Sequence, residues 1–342
     1  MGNAAQRGPA AAVGLDLGGT NLKGGLVSPR GEVSGWTVTS PGIEHGPSRI
    51  IDEMTALARS LLRTAEQQGT EVCGVGVATP GIIDPEFGGL TGGAENLPGW
   101  KNTPFMKTMN RRLGVPVYAH NDVSATVLGE LWYGAGAGRK NIIMASFGTG
   151  VGGGIVINGE LYAGSTGYAG EIGHMVTSVN GRPCACGMRG CWEEYASIRG
   201  ILRTARELLA AGNGRSPLAG LDSRGELTPA AVFEAAARGD PGAGEIVDAV
   251  ARDTAIGIGS LINIFNPELF IIGGGIASAG EPYLRAIRKH LTDWTLPDAM
   301  ERADVVPATL GYQAGVIGAA VLVFRGVNRY PREQVETRSV GV

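Results

Sequence analysis

The chain is 342 residues long, 43% hydrophobic and 18% charged, with a net charge of -3. That length permits two compact lobes, each with its own core, and the slight acidity argues against nucleic acid as the main partner. The N-terminus MGNAAQRGPA has no apolar core for a secretory signal, and Gln6 stands where a myristoylation signal carries Ser or Thr. The longest apolar run, Ala314 to Phe324 apart from its glycines, is about half of the ~20 residues a membrane span requires. A cytoplasmic protein with no membrane partner is expected. The 57 glycines follow no fixed period and so belong to turns and loops.

Residues 1–10 read as a flexible tail. Val13, Leu15 and Leu17 then alternate up to Gly18-Gly19, the pattern of a strand entering a glycine turn and returning. A further strand is expected around Trp36 to Thr39. Pro47 opens a helix whose Ile50, Ile51, Met54, Leu57, Ala58, Leu61 and Leu62 form one apolar stripe. EVCGVGVATPG is a buried strand ending in a loop, Thr103-Pro104 caps a short helix, and VPVYAH runs into Asn121-Asp122, where another helix begins. Three strands, helix, strand, helix, strand, helix is the order of a ribonuclease H-like unit.

That unit recurs. MASFGTGVGGGIVINGELY at 144–162 echoes LDLGGTNLKGGLVSPRGEV at 15–33, with Gly148 matching Gly18 and each stretch carrying Gly-Glu near its end. The fold class expected is therefore α/β, with two lobes around a central cleft. Later helices are expected near Tyr195 to Leu209, Thr228 to Ala237 and Ile246 to Phe265, then a strand Leu269 to Ile272 and a last helix Gln313 to Phe324. By position the small lobe takes 11–120 plus about 316–342, and the large lobe takes 121–315.

Asp16-Leu17-Gly18-Gly19-Thr20-Asn21-Leu22-Lys23 supplies bare backbone amides, a hydroxyl and an amine, which can cradle phosphate oxygens, while Asp16 could hold a magnesium ion through water. An ordinary hairpin is the rival reading, but a carboxylate ending a buried strand is expensive without a task. Gly148-Thr149-Gly150 occupies the matching turn of the second lobe, so two amide-rich hairpins are expected to face one another across the cleft. Gly148, Gly150 and Gly153 also fit G-x-G-x-x-G, but that pattern must open a helix, and Ile155-Val156-Ile157 reads as a strand. Gly273-Gly274-Gly275 is a third glycine loop at a strand end. No G-x-x-x-x-G-K-[ST] sequence exists, which excludes P-loop chemistry.

The segment 171–195 places three of the four cysteines, Cys184, Cys186 and Cys191, within eight residues, and His174 lies ten positions before the first. Three thiolates and one imidazole complete a tetrahedral zinc ion with no open position, so a structural site is expected. A disulfide would leave one of the three unpaired, and Cys184 with Cys186 would close a strained ring. The metal would pin Glu171 and Glu193 beside it, as carboxylates suited to sugar hydroxyls or simply as solvated surface charges.

Glu171-Ile172-Gly173-His174, followed by Cys184-Ala185-Cys186-Gly187-Met188-Arg189-Gly190-Cys191-Trp192-Glu193, matches ExGH…CxCGxxGCxE at every fixed position and resembles the signature of the ROK family of bacterial sugar kinases and sugar-responsive repressors. The resemblance covers Val13 to about Gly318. It implies an actin-like, hexokinase-type ATPase fold and the 6-phosphorylation of a hexose by ATP and magnesium, with glucose suggested by Glu95-Asn96-Leu97-Pro98-Gly99-Trp100. It makes Asp122 the catalytic base, a residue that Asn-Asp alone would explain as a helix cap. Gly81, Asn96, Asn121, Asp122, Glu171, His174 and Glu193 become sugar contacts. Gly18, Gly19, Thr20, Lys23, Gly148, Thr149, Gly150, Gly274 and Gly275 become ATP contacts. A dimer or tetramer is implied as well.

Other readings stay open. Mannose, allose, fructose or an N-acetylated amino sugar would use the same contacts, and polyphosphate could replace ATP, although the resemblance associates that donor with loss of the cysteine cluster. A non-catalytic sugar sensor would be expected to lose Asp16 or Asp122. A repressor carries a winged helix before the kinase-like body, and here the first phosphate loop begins about a dozen residues in. A nicotinamide dehydrogenase would need a glycine pattern that opens a helix.

Overall fold

The computed structural model describes residues 10–94, 97–212 and 216–326. The expected tail, apart from Ala10, and the expected sugar contact Asn96 lie outside the described residues.

Alternation of apolar residues up to a glycine turn gives β1 (Ala11–Leu17), β2 (Leu22–Val27) and β3 (Val33–Thr39), an antiparallel meander. Pro47 at the first position starts α1 (Pro47–Gln67), which buries Ile50, Ile51, Met54, Leu57, Ala58 and Leu61. β4 (Val72–Thr79) then runs parallel to β1. A small hairpin, β5 (Ile82–Asp84) with β6 (Gly89–Gly92), precedes α2 (Phe105–Leu113). Pro104 holds the cap position of α2 with no side-chain bond, so the expected Thr103 cap does not form. β7 (Val117–Asn121) extends the sheet and passes directly into α3 (Asp122–Tyr133), completing the order β3-β2-β1-β4-β7.

The second sheet repeats this plan. β8 (Ile142–Phe147), β9 (Val151–Ile157) and β10 (Glu160–Leu161) form the hairpin side. The helices α4 (Glu193–Ala196), α5 (Ile198–Ala211), α6 (Leu218–Ser223), α7 (Pro229–Ala237) and α8 (Pro241–Phe265) follow. β11 (Leu269–Gly273) pairs parallel with β8, and after α9 (Gly280–Trp294) and α10 (Pro297–Met300) comes β12 (Asp304–Pro307), parallel to β11. The order β10-β9-β8-β11-β12 is that of the first sheet with corresponding strands in corresponding places. The helix expected over Tyr195 to Leu209 is two helices, broken at Ser197, whose hydroxyl caps α5 by accepting from the Gly200 amide.

Two compact units result, Met1–Lys140 with Gly154–Ala169 and Thr309–Val342, and Asn141–Gly153 with Gly170–Ala308. In the first, α11 (Ala314–Gly326) lies flat on β1, β4 and α3. Bare backbone makes that approach possible: a Cβ at Gly14 would stand 2.0 Å from the Val316 carbonyl oxygen, and one at Gly76 would stand 1.8 Å from that of Ala319. Val316, Ala320, Val323 and Phe324 close a small core there with Ala12 and Val27. No helix among the described residues is long and apolar enough to cross a membrane.

A buried carboxylate ties the start of this helix down. Glu130 of α3 is fully buried and accepts from the amides of Ala135 (2.8 Å), Thr309 (2.9 Å) and Leu310 (2.9 Å) and from the Thr309 hydroxyl (3.1 Å). These bonds repay its desolvation and fix the approach to α11. Glu130→Ala leaves three amides unsatisfied and is expected to cost about 3–5 kcal/mol in urea unfolding. A loss below about 1 kcal/mol would remove Glu130 as the anchor.

Candidate active site

In the first unit, Asp16 and Lys23 are register partners across the β1–β2 hairpin, with Lys23 Nζ 2.8 Å from Asp16 Oδ2. This ion pair is how a carboxylate at the end of a buried strand is tolerated. The turn between them is closed by the Gly18 amide donating to the Asn21 carbonyl at 2.9 Å, which places Gly19 and Thr20 at its tip. Lys23 Nζ also lies over the ring of Tyr312, 4.3 Å from its centroid, and Tyr312 meets Trp36 edge-on. Neither aromatic carries a signal in the sequence that links it to the Gly18–Gly19 turn.

The loop after β4 is held from beneath. Trp100 is fully buried, stacks on Phe105 and donates from Nε1 to Thr79 Oγ1 at 3.3 Å. Gly81 takes φ +101°, where a side chain would strike Leu90 and the Gly92 carbonyl. Its own carbonyl receives Asn121 Nδ2 at 3.4 Å. Asn121 caps α3, its Oδ1 accepting from the amides of Val123 (3.0 Å) and Ser124 (3.2 Å). The capping duty thus falls chiefly to Asn121, and Asp122 is the first residue of the helix proper, its Oδ1 accepting the Val123 amide at 2.9 Å. Before it, burial lowers the His120 imidazole from 6.5 to about 4, and Nδ1 accepts the Asn121 amide at 2.9 Å.

In the second unit, Cys184, Cys186, Cys191 and His174 offer ligand atoms all within 4.8 Å of one another. The Cys186 and Cys191 sulfurs stand 3.6 Å apart, and Cys184 Sγ is 3.9 Å from His174 Nδ1. Disulfide sulfurs lie about 2 Å apart, whereas thiolates sharing one zinc at about 2.3 Å stand roughly 3.8 Å apart at tetrahedral angles. The donor set and its spacing therefore fit a metal ion and not a disulfide. Gly187, at φ +91°, turns the chain back so that the Cys184 amide reaches the Met188 carbonyl at 2.9 Å. Burial raises the Cys184 thiol well above its ordinary value, so metal capture at neutral pH must release its proton.

The two carboxylates flank this cluster. Glu193 Oε1 accepts from Cys184 Sγ at 3.2 Å and lies 3.9 Å from His174 Nδ1, while Glu171 Oε2 lies 3.9 Å from the other ring nitrogen, Nε2. Arg199 stands 3.7 Å from Glu193 Oε1. In the β8–β9 turn the Gly148 amide donates to the Gly150 carbonyl (2.9 Å), leaving Thr149 at the tip, and β9 follows directly. A strand in that place excludes the dinucleotide reading of Gly148, Gly150 and Gly153. Gly275, beside Gly274 after β11, lines a cavity of about 540 Å³ with Thr228, Pro229, Phe233, Ile276 and Tyr283. This apolar slot has no local signature in the sequence, because its residues come from α5, α7, α8, α9 and the loop after β11, spread from Ile198 to Tyr283.

The ROK family model matches residues 12–325. The chain belongs to the ROK family. A glucokinase of Halalkalibacterium halodurans is 37% identical over 313 residues, 91% of this chain and 94% of that protein. Among solved structures, a ROK family glucokinase from Streptomyces griseus in complex with glucose and AMPPNP is 34% identical with a TM-score of 0.77, covering 93% of this chain and all of its own. A ROK hexokinase from Thermus thermophilus is 29% identical with a TM-score of 0.78, covering 93% and 99%. The fold is the two-lobed actin-like one of these ROK hexokinases.

The low value of His120 has a pH consequence. Unfolded, this histidine takes up a proton near pH 6.5; folded, it refuses one until about pH 4. Its contribution is thus fully present above pH 6.5 and lost as pH falls towards 4, by about 2 kcal/mol between pH 8 and pH 5. His120→Asn keeps an acceptor for the Asn121 amide, and its urea midpoint should fall less than the wild type's over that range. Equal acid sensitivity in both proteins would contradict the assignment.

Proposed function

We propose that this ROK protein phosphorylates a hexose, foremost glucose, at the 6-hydroxyl with ATP. The observation that carries the reading is Asp122 at the start of α3: Asn121 accepts both the Val123 and the Ser124 amides, while Asp122 Oδ1 reaches only the amide of the next residue, Val123, at 2.9 Å, so its carboxylate is not needed as the helix cap. In the proposed mechanism Asp122 accepts the proton of the 6-hydroxyl as that oxygen attacks the γ-phosphate. We assign the sugar hydroxyls to Gly81, Asn96, Asn121, Glu171, His174 and Glu193, as the family resemblance implies. Held by positioned carboxylates and amides, the hydroxyl meets the phosphate in one geometry, which is most of what phosphoryl transfer requires.

The amides and hydroxyl of Gly18, Gly19 and Thr20, with Gly148, Thr149 and Gly150, bind the phosphates, and Lys23 adds a positive charge. Gly274 and Gly275 border the nucleoside, whose base occupies the apolar slot lined by Phe233 and Ile276. Magnesium, associated through water with Asp16, would neutralise phosphate charge. Zinc bound by His174, Cys184, Cys186 and Cys191 would be structural. The compartment that suits three reduced thiolates is the cytoplasm.

Asp122→Asn tests the mechanism. Turnover of glucose should fall about 10²–10⁴-fold, the range for losing a general base, while glucose Kd stays within about threefold. Near-normal turnover would overturn the role of Asp122.

A further inference from the structure

In the second unit the three elements that carry the proposed nucleotide contacts, the β8 end, the β8–β9 turn and the loop after β11, are each tied to the segment that holds the cysteine cluster. The first tie is Trp192, the residue after Cys191. Its amide donates to the Met175 carbonyl at 2.8 Å, next to His174. Its indole is fully buried, with Nε1 donating to the Asp253 carbonyl at 3.0 Å and the ring laid on Gly257, where a Cβ would stand 2.1 Å away. It meets Phe147 edge to face, with ring centroids 5.4 Å apart. Phe147 ends β8, and its backbone lies against Gly274 so closely that a Cβ there would stand 2.4 Å from the Phe147 carbonyl oxygen. A shift of Trp192 therefore reaches Gly148 and Gly274 through one side chain.

Two more ties run to the β8–β9 turn. Gly173 precedes His174 and packs on Val151, whose carbonyl oxygen is 2.0 Å from where a Cβ would be. Glu193 stands over Gly150, its Oε2 2.7 Å from a Cβ placed there, while its Oε1 receives Cys184 Sγ. One side of each contact is a glycine, Gly173 of the segment against Val151 and Gly150 of the turn against Glu193, so backbone meets its neighbour directly at both points. The position of the turn is set by what lies against it.

We propose that Trp192 and Glu193 are positioning residues for the nucleotide loops, so that the cysteine and histidine cluster governs ATP binding as well as the grip on the sugar. The inference rests on the kinase reading and extends it, since a metal that only braced Glu171 and Glu193 would act on the sugar alone. Within the cluster the Cys186 and Cys191 sulfurs are 3.6 Å apart and Cys184 Sγ is 3.9 Å from His174 Nδ1, distances at which thiols bond only weakly. An ion held by all four ligands would convert those weak contacts into a fixed frame for Trp192 and Glu193.

The test is calorimetric binding of a non-hydrolysable ATP analogue, without sugar, to zinc-loaded protein and to protein stripped by a chelator, with circular dichroism to follow the fold. Stripping should raise the nucleotide Kd at least tenfold. A change below twofold in folded, stripped protein, alongside weaker glucose binding, would overturn the inference while leaving the kinase reading intact. Trp192→Phe leaves all four ligands in place and decides the matter if stripping unfolds the chain. It should retain one zinc, keep glucose Kd within twofold and raise nucleotide Kd at least threefold; an unchanged nucleotide Kd would overturn the role of Trp192. Failure of the zinc-loaded wild type to bind the analogue at all would overturn the kinase reading, and this inference with it.

Discussion

Four side chains with soft or borderline donor atoms within 4.8 Å of one another, three of them inside eight residues, form the constraint around which the 171–195 segment is arranged. The segment is rich in glycine and has little regular structure of its own: one turn of 3-10 helix around Gly173, two isolated bridges and the short helix α4. Such a chain would ordinarily be too loose to aim a carboxylate. Here the cluster gathers both ends of the loop, and Glu171 and Glu193 lie at either side of the His174 ring. The first unit uses the opposite strategy. Asp122, Asn121 and Gly81 sit on rigid elements, a strand end, a helix start and a loop pinned by buried Trp100, so their geometry needs no added frame.

Most of the fold was legible because its signals are local and periodic. Val13, Leu15 and Leu17 alternate, the stripe from Ile50 to Leu61 has helical spacing, and each ends at a glycine or a polar cap. The repeated Gly18 and Gly148 hairpins announced the duplication, and the two sheets have the same strand order. Other features left no such trace. The 15-residue α9 and the hairpin of β5 and β6 were not anticipated, and the break at Ser197 was hidden inside a continuous apolar pattern. A hydroxyl inside a helical stripe can be a mid-helix residue or a cap, and only the Gly200 amide within reach decides between them.

The candidate site divides the same way. The cysteine–histidine cluster and the glycine turns are legible because a metal-ligand donor set and φ both restrict residue type. Glu130 was not, since a buried glutamate looks like any surface one until its four partners from 135, 309 and 310 are seen together. Tyr312 and Phe233 were missed for a related reason. Each lies far along the chain from the loop it stands beside, and an aromatic residue in a helix or a turn is compatible with plain packing.

The most direct test of the account is ADP release from magnesium-ATP across glucose, mannose, fructose, N-acetylmannosamine and N-acetylglucosamine, with polyphosphate as the alternative donor, by protein whose zinc content has been measured. The account predicts one zinc per chain and saturable turnover with ATP, highest on glucose. Folded, zinc-loaded protein that turns over none of these sugars would contradict it.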